Sequence, residues 1–191
     1  MQAFLVSTGV VALAEIGDKT QLLAFILAAR FRRPWPIIAG IFCATLVNHG
    51  LAGMLGAWLT SVVQPATLRW LLGLSFIAMA AWVLVPDKID EDEAPSAGRL
   101  GIFGATAVAF FLAEMGDKTQ VATVALAANY ASVTAVVLGT TLGMLIANVP
   151  AVLIARKVVE RVPMKLVHAL AALIFAILGV LTLAGVGQGL F

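Results

Sequence analysis

The sequence is short of the residues that carry chemistry in water. Among its 191 residues there are one cysteine and two histidines, and charged side chains make up only 12%. An ordinary soluble domain carries about 25%. A lone thiol makes no intramolecular disulfide, and Cys43, set in an apolar run, reads as a small buried apolar side chain. With only His49 and His168 there is no His-Glu-x-x-His motif, and no serine nucleophile motif accompanies them. No enzymatic reading and no cofactor therefore follow from the sequence. The formal net charge is +2 without a basic patch interleaved with aromatics, so nucleic acid is not an expected partner.

Apolar residues are what the chain has in abundance, 62% of the total. A soluble protein of this size could not bury so much apolar surface, and a lipid bilayer is the solvent that accepts it. Six apolar stretches run at about 3–29, 35–63, 68–86, 101–128, 131–155 and 164–186. Each is long enough for a helix crossing the hydrocarbon core, which needs about 20 residues. The interruptions suit helix ends. Arg30, Arg32, Arg33 and Pro34 follow the first stretch, Gln64 and Pro65 the second, and Pro163 opens the sixth. Proline is tolerated in a helix's first turn, where its missing N–H is not needed. Pro150, inside the fifth stretch, is expected to kink that helix or end its regular part.

The first residues, Phe4 to Leu13 with Ala12-Leu13-Ala14 after them, resemble a signal peptide. They lack its basic start, and the apolar run continues past the cleavage point, so retention of the segment is expected. The clearly aqueous segment is 87–100, with Asp87, Asp90, Glu91, Asp92 and Glu93. It reads as a solvated linker between residues 1–86 and 101–191, or as an acidic vestibule drawing cations. With six spans, the loops on one side hold Arg30, Arg32, Arg33, Lys88, Arg99, Arg156, Lys157, Arg161 and Lys165, and the other side holds only Arg69. The positive-inside rule makes the basic side cytoplasmic and puts both termini on the non-cytoplasmic side.

Residues 14–21 read AEIGDKTQ and residues 113–120 read AEMGDKTQ, identical at seven of eight positions and 99 apart. Weaker echoes follow. Asn48 lies near Asn148 in register, and Phe76 pairs with Phe175 at the same offset. Three helices per copy is an odd number, so the second copy enters the membrane from the opposite side. The expected fold is an all-α integral membrane protein of six transmembrane helices arranged as two inverted three-helix repeats. Such folds bind substrate near the midplane, where the repeats meet.

Glu15, Asp18 and Lys19 interrupt the first apolar stretch, and Glu114, Asp117 and Lys118 the fourth. At 1.5 Å per residue the two glutamates lie roughly 18–20 Å in, close to mid-membrane. A charge there costs at least about 2.5–3.5 kcal/mol, so six need a compensating reason. Glu and Asp three apart share one helical face. Gly17 and Gly116 let a neighbouring backbone approach, or let the helix unwind and expose carbonyls. Four carboxylates meeting at the centre, flanked by Thr20, Gln21, Thr119 and Gln120 and without paired sulfur or nitrogen ligands, suit hard ions such as Ca²⁺, Mg²⁺ or Mn²⁺. Four carboxylates and two lysines sum to −2, which one divalent ion or protons would neutralise, the physical basis of antiport. The structural alternative is an i,i+4 salt bridge within each helix, Glu15 to Lys19 and Glu114 to Lys118. Asn48 and Asn148 serve equally as interhelical hydrogen-bonding groups or as ligands. His49, with no equivalent at Val149, reads as a local contact or proton relay. Gly139 and Gly143 read as a close helix-packing pair.

The doubled motif Glu15-Ile16-Gly17-Asp18-Lys19-Thr20 and Glu114-Met115-Gly116-Asp117-Lys118-Thr119 resembles the mark of the GDT, or transmembrane-protein-165, family of cation/proton exchangers. The resemblance extends over essentially the whole chain. It implies Mn²⁺ or Ca²⁺ as transported substrate, protons as counter-ion, and Glu15, Asp18, Glu114 and Asp117 as the cation site. It also implies manganese export across a bacterial inner membrane. The residues alone leave two rivals, a small-solute exporter of amino-acid type and a divalent-cation channel with a carboxylate ring. They leave the oligomeric state open, a homodimer included.

Overall fold

The computed structural model describes residues 1–85, 98–154 and 164–185. Most of the acidic linker, with Asp87, Lys88, Asp90, Glu91, Asp92 and Glu93, lies outside the described residues, as do Arg156, Lys157 and Arg161. The described chain is helical: α1 Gln2–Glu15, α2 Lys19–Phe31, α3 Pro34–Val62, α4 Pro65–Trp82, α5 Gly101–Glu114, α6 Lys118–Asn129, α7 Val133–Ile154 and α8 Met164–Leu183. A short 3₁₀ turn, Gly98–Leu100, precedes α5.

The prolines act as starts. Pro34 and Pro65 stand in the first turns of α3 and α4. Arg32, in the left-handed conformation with φ 52°, closes α2 by donating its N–H to the Ala28 carbonyl. Pro150 does not end its helix: α7 continues through it to Ile154.

The first and fourth apolar stretches are each two helices instead of one. Residues 3–29 divide into α1 and α2, and 101–128 into α5 and α6, with breaks inside the doubled motif. Among the described residues four helices (α3, α4, α7 and α8) are long and apolar enough to span a membrane, and five spans are reached if α5 with α6, bent by 72°, is counted as one. Large apolar side chains such as Leu51, Trp58, Leu173 and Ile177 face outward. Such a surface is at home in lipid.

Helices 99 residues apart pack alike. Helix α1 lies on α7 as α5 lies on α3, α2 touches α7 as α6 touches α3, and α4 pairs with α8. The equivalence reaches single atoms. A β-carbon on Gly139 would sit 2.5 Å from the Phe4 carbonyl oxygen and 3.0 Å from Ser7 Cβ; one on Gly40 would sit 2.8 Å from the Phe103 carbonyl oxygen and 2.8 Å from Thr106 Cβ. Gly143 is as tightly held, against the Thr8 carbonyl oxygen at 2.7 Å. Backbones this close require glycine, which is how helices without a hydrophobic drive between them gain packing energy. Phe76 and Phe175 meet where α4 crosses α8, their ring centroids 6.4 Å apart.

Two apolar clusters result. One joins α1, α4, α6 and α8 around Val10, Phe76, Leu126 and Phe175. The other joins α2, α3, α5 and α7 around Leu27, Ile41, Phe110 and Ala151.

Candidate metal centre

Each motif breaks its helix in the same way. Helix α1 stops at Glu15; Ile16 is extended at φ −65°, ψ 115°, Gly17 takes φ 87°, and Asp18 at φ −81°, ψ 169° starts α2. Met115 at φ −64°, ψ 116°, Gly116 at φ 76° and Asp117 at φ −78°, ψ 164° repeat the path. A positive φ of this kind is costly for any residue with a β-carbon, so both motifs need glycine. The break is internally braced. The Gly17 N–H donates to Gln21 Oε1 at 2.9 Å, and the Gly116 N–H donates to Gln120 Oε1 at 2.7 Å.

The unwinding option is therefore the one realised, and Glu and Asp do not share one face of a continuous helix. Glutamate ends one half-helix and aspartate precedes the next. The i,i+4 salt bridges are replaced by pairs between the halves. Lys19 Nζ is 3.1 Å from Asp117 Oδ1, and Lys118 Nζ is 2.5 Å from Asp18 Oδ1. A buried ion pair survives in lipid only if each charge finds its opposite. The aspartates find theirs across the two motifs.

The glutamates do not take the lysines. Thr20 Oγ1 donates to Glu15 Oε2 at 2.5 Å, and Thr119 Oγ1 donates to Glu114 Oε2 at 3.0 Å. Both glutamates are fully buried. Glu15 Oε1, Glu114 Oε1 and Asp117 Oδ2 are buried with no hydrogen-bond partner among the described residues. Glu15, Glu114 and Asp117 each bring a carboxylate oxygen to within 4.8 Å of the others. Asp18 stands outside this trio, on Lys118. Three oxygens so placed fit a hard cation, and orphaned buried acceptors are the feature that asks for one.

The amides hold the surroundings. Gln21 Nε2 donates to the Ala147 carbonyl at 2.9 Å, and Gln120 Nε2 donates to Asn48 Oδ1. With Oε1 on a glycine N–H, both ends of each glutamine are engaged. Asn48 also donates to the Phe111 carbonyl at 3.4 Å, bridging α3 to α5 and α6. Asn148 donates within its own helix, to the Met144 carbonyl at 3.1 Å. These bonds move the second-repeat register by one residue: Asn48 is the counterpart of Ala147, and His49, not Asn48, is the counterpart of Asn148. His49 is buried, and neither ring nitrogen has a hydrogen-bond partner among the described residues. It is not in the carboxylate trio.

His168 was not visible as a site residue in the sequence. Its Nε2 lies 2.9 Å from the Ile16 carbonyl oxygen at the first break. The signal that could have found it is the repeat offset, which sets it opposite Arg69.

A family model described as "Divalent cation/proton antiporter GDT1" matches residues 3–91 and again 102–189. The chain belongs to the GDT1 divalent cation/proton antiporter family. It is an integral membrane protein of a transporter family. Among curated relatives, a Vibrio cholerae protein named "Putative manganese exporter" is 49% identical over 183 residues, covering 95% of this chain and 90% of that one. A "GDT1-like protein" of Synechocystis is 28% identical over 200 residues, covering 95% and 97%. No solved structure matches the chain.

Proposed function

We propose that the protein exports Mn²⁺ from the cytoplasm in exchange for protons, with Ca²⁺ as a second substrate, by alternating access at the Glu15–Glu114–Asp117 cluster. The single observation carrying this reading is that Glu15, Glu114 and Asp117 bring carboxylate oxygens to within 4.8 Å of one another, each residue also keeping a buried oxygen with no hydrogen-bond partner among the described residues. Sulfur is absent from the cluster and no histidine joins it, which favours Mn²⁺, Ca²⁺ or Mg²⁺ over zinc or copper. The "manganese exporter" in the name of the Vibrio relative supports manganese.

Charge arithmetic supports exchange. The pairs Lys19–Asp117 and Lys118–Asp18 cancel, leaving Glu15 and Glu114 with −2 between them. Two protons or one divalent ion neutralise that charge equally. An exchange of one for the other lets the site cross the cycle without an uncompensated charge in lipid. In this reading Asp18 positions Lys118, and Thr20 and Thr119 orient the glutamates. Gln21 and Gln120 brace the breaks, and Asn48 and Asn148 line the neighbouring helices.

The architecture that goes with this function is six spans in two inverted three-helix repeats, residues 1–86 and 101–191. The α1–α2 and α5–α6 pairs each form a broken span. The matched contacts 99 residues apart support this arrangement, and broken helices meeting at the midplane are how such transporters build ion sites. The Lys and Arg distribution places the basic loops in the cytoplasm and both termini outside it. The membrane is then the bacterial inner membrane.

Proteoliposomes carrying a pH-sensitive dye test the function. Mn²⁺ or Ca²⁺ added outside should drive a proton flux, and Asp18→Asn should abolish it. Metal entry without proton movement would replace the exchanger by a channel. A flux unchanged in Asp18→Asn would remove Asp18 from the machinery, and no metal-dependent signal would favour a small-solute exporter.

A further inference from the structure

Around the carboxylates the two halves of the chain make matching contacts, but one pair of helices departs from the match. Helix α8 lies along α1, and α4 lies along α6. The contacts related to these by the 99-residue offset would be α4 on α5 and α8 on α2, and neither is made to a comparable extent among the described residues. The apolar clusters divide in the same way. The cluster containing α1 and α6 includes α4 and α8; the cluster containing α2 and α5 includes neither. The paired helices α4 and α8 therefore cover one flank of the site and leave the other uncovered. The motif residues follow suit. Lys118, at the start of α6, is 4% exposed, whereas its counterpart Lys19, at the start of α2, is 27% exposed. Ile16 is half-buried, whereas Met115 is 52% exposed.

One hydrogen bond fastens the covered flank. A carbonyl oxygen only accepts, so His168 Nε2 donates to the Ile16 carbonyl, at 2.9 Å. Carbonyls at the end of a helix have no partner within it, and the break between α1 and α2 leaves this one available. Ninety-nine residues before His168 stands Arg69, on α4, and 99 after Ile16 stands Met115, at the other break. Arg69 Nε is buried with no hydrogen-bond partner among the described residues. Both positions on the α4–α8 pair thus carry an N–H donor, and both breaks offer the same carbonyl.

We propose that His168 and Arg69 are the two alternating latches of the transport cycle. In the structure described here His168 holds the α4–α8 pair against α1 and α6. In the opposite state the pair lies against α2 and α5, His168 lets go, and Arg69 donates to the Met115 carbonyl. The inference rests on the alternating-access reading above and adds to it the moving element and its fastenings. With the basic loops in the cytoplasm, α1 and α6 form the outer half of the protein. The present state is then open toward the cytoplasm, the side from which an exported cation loads. Both latches are positioning residues, since neither touches the carboxylate trio.

Crosslinking tests the latches apart from the site. In a Cys43→Ser background, the pairs I16C/H168C and R69C/M115C are treated with a short bifunctional thiol reagent in proteoliposomes, with and without Mn²⁺. Both pairs should crosslink, and either crosslink should stop Mn²⁺ flux. Adding His168→Ala to R69C/M115C should raise that crosslink about tenfold, the population shift expected from one lost hydrogen bond. His168→Gln, which keeps a donor, should leave it near its starting level. Absence of the R69C/M115C crosslink under every condition would overturn the proposal, as would indifference of its yield to His168→Ala. Mn²⁺ binding, followed by electron paramagnetic resonance in the wild type and Glu114→Gln, keeps the two readings separate. Binding lost in Glu114→Gln with no R69C/M115C crosslink discards the latches alone. Binding retained in Glu114→Gln discards the carboxylate reading on which they rest.

Discussion

Lys118 reaches Asp18, 100 positions earlier in the chain, at 2.5 Å, although Glu114 lies four residues behind it. The break at Gly116 is the reason. It turns the glutamate-bearing half-helix away from the lysine-bearing one, so the sequence neighbour is no longer the spatial neighbour. The lysine is then supplied to the other motif, and the glutamate takes the Thr119 hydroxyl instead.

Loss of either glutamate's charge should therefore be a transport defect and not a folding defect. Glu15→Gln and Glu114→Gln keep the threonine hydrogen bond and the volume. Each should lower Mn²⁺ flux in proteoliposomes by at least about 100-fold, in keeping with removal of one member of a buried charge set. The thermal transition in detergent should remain.

The lysines should differ from one another. Lys118 is the more deeply buried, and Lys118→Met strands Asp18 in a dry site, at a cost of about 3–5 kcal/mol. Lys19, 27% exposed, has water or a polar boundary to share the burden, so Lys19→Met should cost clearly less. Thermal unfolding of the two variants side by side measures the difference, and equal destabilisation would contradict the asymmetry.

The packing glycines make a contrast that needs no transport assay. Gly139→Leu must displace the Phe4 backbone and should cost about 1–3 kcal/mol as overpacking. Gly9 has nothing within 4 Å of an added β-carbon. Gly9→Ala should be neutral or stabilising, by up to about 1 kcal/mol through helix propensity. Gly116→Ala also has open space, so its penalty should come from the positive φ alone, about 1–2 kcal/mol.

Metal binding should strengthen as pH rises. Mn²⁺ requires deprotonated carboxylates, so each proton released on binding raises the apparent affinity by up to about tenfold per pH unit. Titration of Mn²⁺ at several pH values gives the slope. A slope near two protons per ion would match the −2 shared by Glu15 and Glu114, and a flat profile would rule out competition at this site.

Much of this was legible in the sequence, and for a physical reason. A doubled run of charged residues inside apolar stretches is too costly to be accidental, so the motif announced the buried carboxylate cluster, and the spacing of 99 announced the matched helix contacts. Phe76 and Phe175, paired by that spacing, do meet. The break between Glu15 and Asp18 was legible only as an option carried by Gly17, because glycine permits a positive φ without demanding it. The Lys118–Asp18 and Lys19–Asp117 exchange was not legible. The i,i+4 rule assumes an unbroken helix, and which residues meet across two motifs is decided by tertiary packing. Asn48 and Asn148 misled by identity: Asn48 and Ala147 are the matched pair, and one partner uses a side chain where the other uses its backbone. His168 hid because its counterpart is a different kind of donor, Arg69.

The crossed lysine–aspartate pairs also bear on ancestry. Each motif's aspartate is paired with the lysine of the other motif, so two identical copies, each lending its lysine to the other, would satisfy both. A gene encoding a single half could thus have made a working site as a paired assembly before duplication joined the two. By the same logic, the halves expressed as separate polypeptides should recover each other in one membrane, and either alone should be electrically complete only when it pairs with a second copy of itself.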